Sequence, residues 1–146
     1  MSEIPYADDV NYWKSGKSSP DTILEEVRVE ISKAGGMVLS EGYMATSEGA
    51  GFVLEFALRG DDFRVFWPIL VPRKNTPANR NAAKRQAVAM LFHDVKAKCV
   101  SAKVMGTRKA FFQYLVLPDG RVAGATERDM TELERLLPKL PPGRHK

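Results

Sequence analysis

The side chains best suited to bind a ligand are the lysines and arginines of residues 73–109. This segment holds ten Lys or Arg residues and one Asp, whereas residues 1–62 hold five basic and twelve acidic residues. Dense positive charge is typical of surfaces that bind the phosphate backbone of nucleic acids. The pattern therefore predicts a binding function, in which the cations neutralise phosphates.

Three of these cations fall on one line of a predicted helix. At 100° per residue, Arg85, Lys96 and Lys103 lie within about 20° of one another. Arg85 and Lys96 are about 16 Å apart along the axis, which would span about two or three phosphates. We call these three residues the basic stripe and predict that they are the principal phosphate contacts. The supporting candidates are Lys84, Arg73, Lys74, Arg108 and Lys109.

A simpler interpretation of the same charges is a solvated helix face, or a face paired with the acidic N-terminal half. Most runs of charge in proteins are of this kind. The sequence leaves open whether the basic helix is exposed or neutralised.

Aromatic residues near the cations could stack on unpaired bases. The candidates are Phe66, Trp67, Phe111, Phe112 and Tyr114. Alternation along a strand sends adjacent residues to opposite faces, so one of each neighbouring Phe or Trp pair is expected in the core.

The sequence does not match the motifs of a phosphate-binding P-loop, a zinc site or a restriction-type nuclease. The sequence Gly-Lys-Ser at 16–18 resembles the end of a phosphate-binding P-loop, but Asn11 stands where that loop needs its first glycine. Two histidines and Cys99 do not make a zinc site. Carboxylates that could hold magnesium are Glu41, Glu55, Asp61 and Asp62. Ala57 lies two residues after Glu55, where a restriction-type nuclease would place a lysine. We therefore predict no catalytic residue, metal or cofactor.

Helix and strand signals give the positions of these residues. Ser19-Pro20 and Thr76-Pro77 each join an N-cap residue to a proline suited to a first helical turn. The two helices are predicted to end at Gly35-Gly36 and near Met105. Apolar runs with short glycine-containing turns predict an antiparallel meander. The predicted strands are 37–45, 51–58, 63–71 and, after the long helix, 108–117, and the last helix is 126–137.

The order α-β-β-β-α-β-α predicts an α+β fold. Its antiparallel sheet would combine a three-strand meander with a fourth strand and would be packed by helices. Residues 1–137 are expected to form one domain, with a flexible, basic, proline-rich tail at 138–146. Because Pro68 lacks a backbone donor, the third strand is expected at a sheet edge. An exposed edge could pair between subunits of a homo-oligomer.

Length and composition indicate how many domains the chain forms and in which compartment it acts. A chain of 146 residues fits one domain. The N-terminus does not resemble a secretory signal, and the apolar run at 65–71 is far too short to span a bilayer. The single cysteine needs no oxidising compartment. These features predict a cytoplasmic protein without a membrane partner.

The second half of the chain resembles short uncharacterised proteins of phages and mobile elements. The resemblance is carried by Asn-Ala-Ala-Lys-Arg-Gln at 81–86, Lys-Ala-Lys at 96–98 and Leu-Val-Leu-Pro-Asp-Gly-Arg at 115–121. It implies a phage or prophage setting and no particular activity.

The order of three antiparallel strands and a long helix is similar to the core of ring-forming single-strand annealing proteins. Those proteins hold single strands with basic and aromatic residues. This similarity is one of element order, and fold does not fix function.

These patterns predict a non-enzymatic protein that binds single-stranded or sequence-nonspecific nucleic acid, with DNA favoured over RNA. The alternative is a protein-interaction module, a phage accessory or inhibitor protein whose basic face docks on an acidic protein surface. A third hypothesis is a metal-dependent nuclease that uses Glu55.

Overall fold

The structure, a computed structural model, describes residues 4–46 and 49–125. It has three α-helices and three strands within these residues. They are α1 (Pro20–Lys33), β1 (Met37–Thr46), β2 (Gly49–Leu58), β3 (Asp61–Ile69), α2 (Pro77–Met105) and α3 (Thr107–Ala110). Short 3-10 turns occur at Ala7–Asp9, Phe112–Tyr114 and Ala123–Ala125.

Both long helices begin where the cap and proline signals predict. The Ser19 hydroxyl accepts a hydrogen bond from the Thr22 amide at 3.2 Å, and the Thr76 hydroxyl accepts one from the Asn79 amide at 3.1 Å. These bonds satisfy amides that have no partner inside the helix. α2 ends at Gly106, whose φ of 93° favours glycine.

The three strands form an antiparallel sheet in the order β1-β2-β3. Arg59 and Gly60 join β2 to β3 with φ angles of 55° and 85°, the geometry of a type I′ hairpin turn. β3 is an edge strand within this sheet, as Pro68 predicts, and the predicted meander is confirmed.

One face of the sheet packs against α1 and α2. The side chains of Phe52, Leu54, Phe56 and Leu58 alternate along β2 and are all buried. They meet apolar residues of α1 and α2, namely Val27, Ile31, Leu91 and Val95. This contact is the centre of the core, and it leaves α2 covering the sheet along most of its length.

The predicted fourth strand at 108–117 is not confirmed. Residues 107–110 form α3, residues 112–114 form a 3-10 turn, and only isolated bridges join Leu115 to Phe63 and Val116 to Val122. Thr107, Arg108, Phe111, Tyr114 and Leu115 are buried, as is Leu117 after them. As far as Leu115 the spacing of three and four is helical, so the period of the burial there, rather than the content of aromatic and β-branched residues, matches the conformation.

The predicted last helix at 126–137 and the tail at 138–146 lie outside the described residues. In the part of the chain that is described, no helix is long and apolar enough to cross a membrane.

Gln86 fixes the N-terminal segment to α2. Its side chain is 1% exposed. The Nε2 group donates to the backbone carbonyls of Ala7 at 2.9 Å, Asn11 at 3.0 Å and Val10 at 3.2 Å. The two N–H groups of this amide, one of them shared, therefore serve three carbonyls of a segment that has little regular structure of its own.

Replacing Gln86 by leucine is expected to lower the free energy of unfolding by about 1–3 kcal/mol, because carbonyls lose their donor while the volume is nearly kept. Urea denaturation measures this change. Limited proteolysis should show faster cleavage within residues 4–14. The control is Gln113→Leu at an exposed position, where a change within about 0.5 kcal/mol is expected. Equal effects of the two variants would contradict the anchoring role.

Candidate nucleic-acid interface

Most cations of residues 73–109 are not neutralised by the described carboxylates. Only Arg73, Lys98 and Arg108 form ion pairs, with Asp9, Asp94 and Asp61. The other seven cations of the segment, none of which has a described carboxylate partner, are Lys74, Arg80, Lys84, Arg85, Lys96, Lys103 and Lys109.

Two of the four acidic residues of α1, Glu25 and Glu30, pair within the N-terminal half. Arg28 bridges Glu25 of its own helix and Glu41 of β1, and Lys33 lies 3.6 Å from Glu30. These carboxylates therefore pair with Arg28 and Lys33 rather than with the stripe.

The basic stripe runs along an uncovered line of α2. Lys96 and Lys103 are exposed and Arg85 is half-buried. Gln86, about 100° around the helix from Arg85, is covered by the N-terminal segment. On the other flank, Cys99 lies against α1, with its Sγ atom 4.0 Å from the Glu30 carbonyl. The stripe thus occupies the line between two covered flanks.

A groove opens where the C-terminal half of the stripe meets α1. Its volume is about 710 Å³, and we call it the α1–α2 groove. Its rim carries four cations, Lys33, Arg59, Lys96 and Lys103. Its apolar floor is formed by Ala34, Leu58, Cys99 and Ala102, and the exposed Val100 also lines it.

Two of the rim cations, Lys33 and Arg59, were missed by sequence reasoning. Lys33 ends α1, and Arg59 lies in the turn between β2 and β3. Neither belongs to the basic segment, so no local pattern of charge marks them. Only the packing of α1 beside α2 brings them to Lys96 and Lys103.

The Cys99 thiol lies on the floor of this groove. Burial raises its pKa, the nearby Glu30 raises it further, and Lys103 opposes both effects. The thiol is therefore neutral at neutral pH and contributes apolar surface to the floor.

The supporting cations near the start of α2 lie apart from the groove. Arg73 pairs with Asp9 and lies over the Tyr6 ring at 4.6 Å. Lys74 is exposed. Lys84 lies over the Tyr43 ring of β1 at 4.6 Å, about 100° around the helix from the stripe. Lys109, beyond the other end of α2, is exposed.

Arg108 is not available to a phosphate. It is 8% exposed, and its Nε and Nη2 atoms donate to the two Asp61 carboxylate oxygens at 2.8 and 2.9 Å. This bidentate pair joins α3 to β3 in the interior. Its role is structural, which removes it from the candidate contacts.

The aromatic candidates do not form a stacking platform beside the stripe. Phe111 and Tyr114 are buried, and Trp67 and Phe112 are half-buried. Phe66 is exposed, but it pairs in register with Val53 on the sheet face that points away from α2. Among the described aromatic residues, Phe92 alone has its ring under a stripe cation, 5.7 Å from the Lys96 ammonium.

Three of the four carboxylates considered for magnesium pair with arginines. Glu55 lies 3.2 Å from Arg64, Glu41 pairs with Arg28, and Asp61 pairs with Arg108. No group of three metal-ligating side chains occurs in residues 4–46 and 49–125.

No protein-family model matches the chain, and comparisons with curated proteins and with solved structures gave no significant match. The phage setting and the similarity to annealing proteins therefore stay predictions.

Proposed function

We propose that the protein binds nucleic acid without catalysis, through the basic stripe and the cationic rim beside it. The observation that carries this proposal is that Arg85, Lys96 and Lys103 have no carboxylate partner in the described residues and lie along one uncovered line of α2. Such cations release counterions from a phosphate backbone when they bind it. The proposed ligand is single-stranded or sequence-nonspecific DNA, in the cytoplasm of a phage or prophage host.

The test is fluorescence anisotropy with labelled single-stranded and duplex oligonucleotides over a salt series. The logarithm of the binding constant should fall linearly with the logarithm of salt concentration. In the triple variant Arg85→Ala/Lys96→Ala/Lys103→Ala, the slope should flatten by about two to three units, since each lost phosphate contact removes about 0.7–0.9.

The matched control is Arg64→Ala/Arg80→Ala/Arg121→Ala, which removes the same charge away from the stripe. Its slope should stay near that of the unaltered protein, and circular dichroism should show that both variants fold. Equal slopes for the two variants, or no binding at low salt, would end the proposal.

A protein-interaction module is the second candidate, and the edge of the sheet favours it. Met37, Leu39, Tyr43 and Met44 of β1 are between 46% and 66% exposed. An edge strand with apolar side chains offers unpaired backbone groups to another strand, from a partner or from a second copy of the chain. A normal ratio of absorbance at 260 and 280 nm after purification, together with capture of an acidic protein, would favour this candidate.

A further inference from the structure

The α1–α2 groove combines two surfaces that a purely electrostatic site does not need. Its floor is apolar and is formed by small or branched side chains such as Leu58 and Ala102. Its rim is cationic. A ligand that satisfies both must join an apolar part to negative charges, and a nucleotide is of this kind.

The charge around the groove is strongly one-sided. Glu30 is the one carboxylate that lines it, and it lies 3.6 Å from Lys33. The other three rim cations, Arg59, Lys96 and Lys103, form no ion pair with a described carboxylate. Arg59 also adopts a φ of 55° at a turn position that Asn or Gly usually occupies. The Arg59 side chain therefore lies at the rim although a positive φ costs free energy at a residue other than Asn or Gly.

We propose that the groove binds one unpaired nucleotide of a single strand, with its base on the apolar floor and the adjoining phosphates at Lys96 and Lys103. This inference rests on the proposed function, because those two lysines belong to the basic stripe. A base in a duplex is stacked and paired, so it must be unstacked and unpaired before it can enter a concave groove. The groove would therefore make the protein prefer single strands.

The single cysteine of the chain reports directly on this groove. Labelling of Cys99 by a maleimide at mildly alkaline pH is followed by mass spectrometry, with and without an oligothymidine. At a concentration of about ten times Kd, about a tenth of the protein is free, so labelling should slow about tenfold. A duplex of equal length, added at the same multiple of its own Kd, should leave the labelling rate nearly unchanged.

A second experiment fills the groove with a covalent adduct on Cys99 and leaves the net charge of the protein unchanged. N-ethylmaleimide on Cys99 should weaken binding of the oligothymidine by about fivefold or more, because the adduct takes up apolar surface that the base would otherwise bury. Binding of the duplex should change little. Cys99→Ser, which the reagent cannot modify, serves as the control, with treated and untreated samples of that variant compared with each other.

The outcomes separate this inference from the proposed function. Oligonucleotide binding in anisotropy with unchanged Cys99 labelling would overturn the groove assignment and leave the stripe as the site. Equal protection of Cys99 by the duplex would overturn the assignment of an unpaired nucleotide to the groove. Protection by poly-glutamate as strong as that by oligothymidine would assign the groove to an acidic polypeptide instead. Absence of any oligonucleotide binding would overturn both proposals.

Discussion

Replacing Arg108 by methionine is expected to lower the free energy of unfolding by about 3–5 kcal/mol, because it leaves the Asp61 carboxylate buried without its counter-charge. The pair is bidentate, at 2.8 and 2.9 Å, and both side chains are about nine-tenths buried. Urea denaturation followed by circular dichroism measures the loss.

Two further variants make this prediction specific. Asp61→Leu combined with Arg108→Met should recover much of the lost stability, because the buried charge is removed together with its partner. Arg121→Met breaks an exposed pair with Asp119 at 3.0 Å and should cost less than about 1 kcal/mol. If Arg108→Met is no more destabilising than Arg121→Met, the pair is not the interior anchor described above.

Phe111→Ala is the second substitution with a large expected effect, a loss of about 3–5 kcal/mol in the free energy of unfolding. The Phe111 ring is fully buried. It lies 5.5 Å from the rings of both Phe56 and Phe63 and 6.5 Å from that of Tyr114. Its removal opens a cavity where residues 107–115 meet the sheet, and thermal and urea unfolding both report the loss.

The neighbouring residue supplies the control. Phe112 is half-buried, so Phe112→Ala should cost clearly less than Phe111→Ala. Because Phe111 lies away from the basic stripe, folded Phe111→Ala protein should keep the salt dependence of nucleic-acid binding. Equal costs for the two alanine variants would mean that this segment packs differently from the structure.

Much of the fold could be predicted because local signals and tertiary packing agree. The capping residues Ser19 and Thr76 act within one helical turn, so they need no knowledge of the rest of the chain. The alternation along β2 predicts its buried face in the same way. Short turns then restrict neighbouring strands to an antiparallel meander.

Residues 108–117 show where such reasoning fails. Aromatic and β-branched residues make the segment resemble a strand, and its few apolar positions fit either period. In the folded protein the distant Asp61 holds Arg108 inside the molecule and joins this segment to the start of β3. A local sequence pattern cannot predict a contact between residues that are 47 positions apart.

The candidate site likewise combines residues that the sequence predicts with residues that only the packing of the fold brings together. The alignment of Arg85, Lys96 and Lys103 follows from helix geometry alone and could be derived from sequence. Lys33 and Arg59 join them only through the packing of α1 and a hairpin turn against α2. Helix spacing predicts the i,i+3 pairs of Arg28 with Glu25 and of Lys33 with Glu30, but not the long-range pair of Arg28 with Glu41.

The buried ion pair and the exposed stripe respond to dissolved salt in different ways. At about 1 M salt the Debye length is about 3 Å, so cations open to solvent lose most of their attraction for a polyanion. Arg108 and Asp61 are shielded from those ions by the protein itself. Under the proposed function, we therefore expect added salt to release a bound strand at an ionic strength that leaves the fold intact.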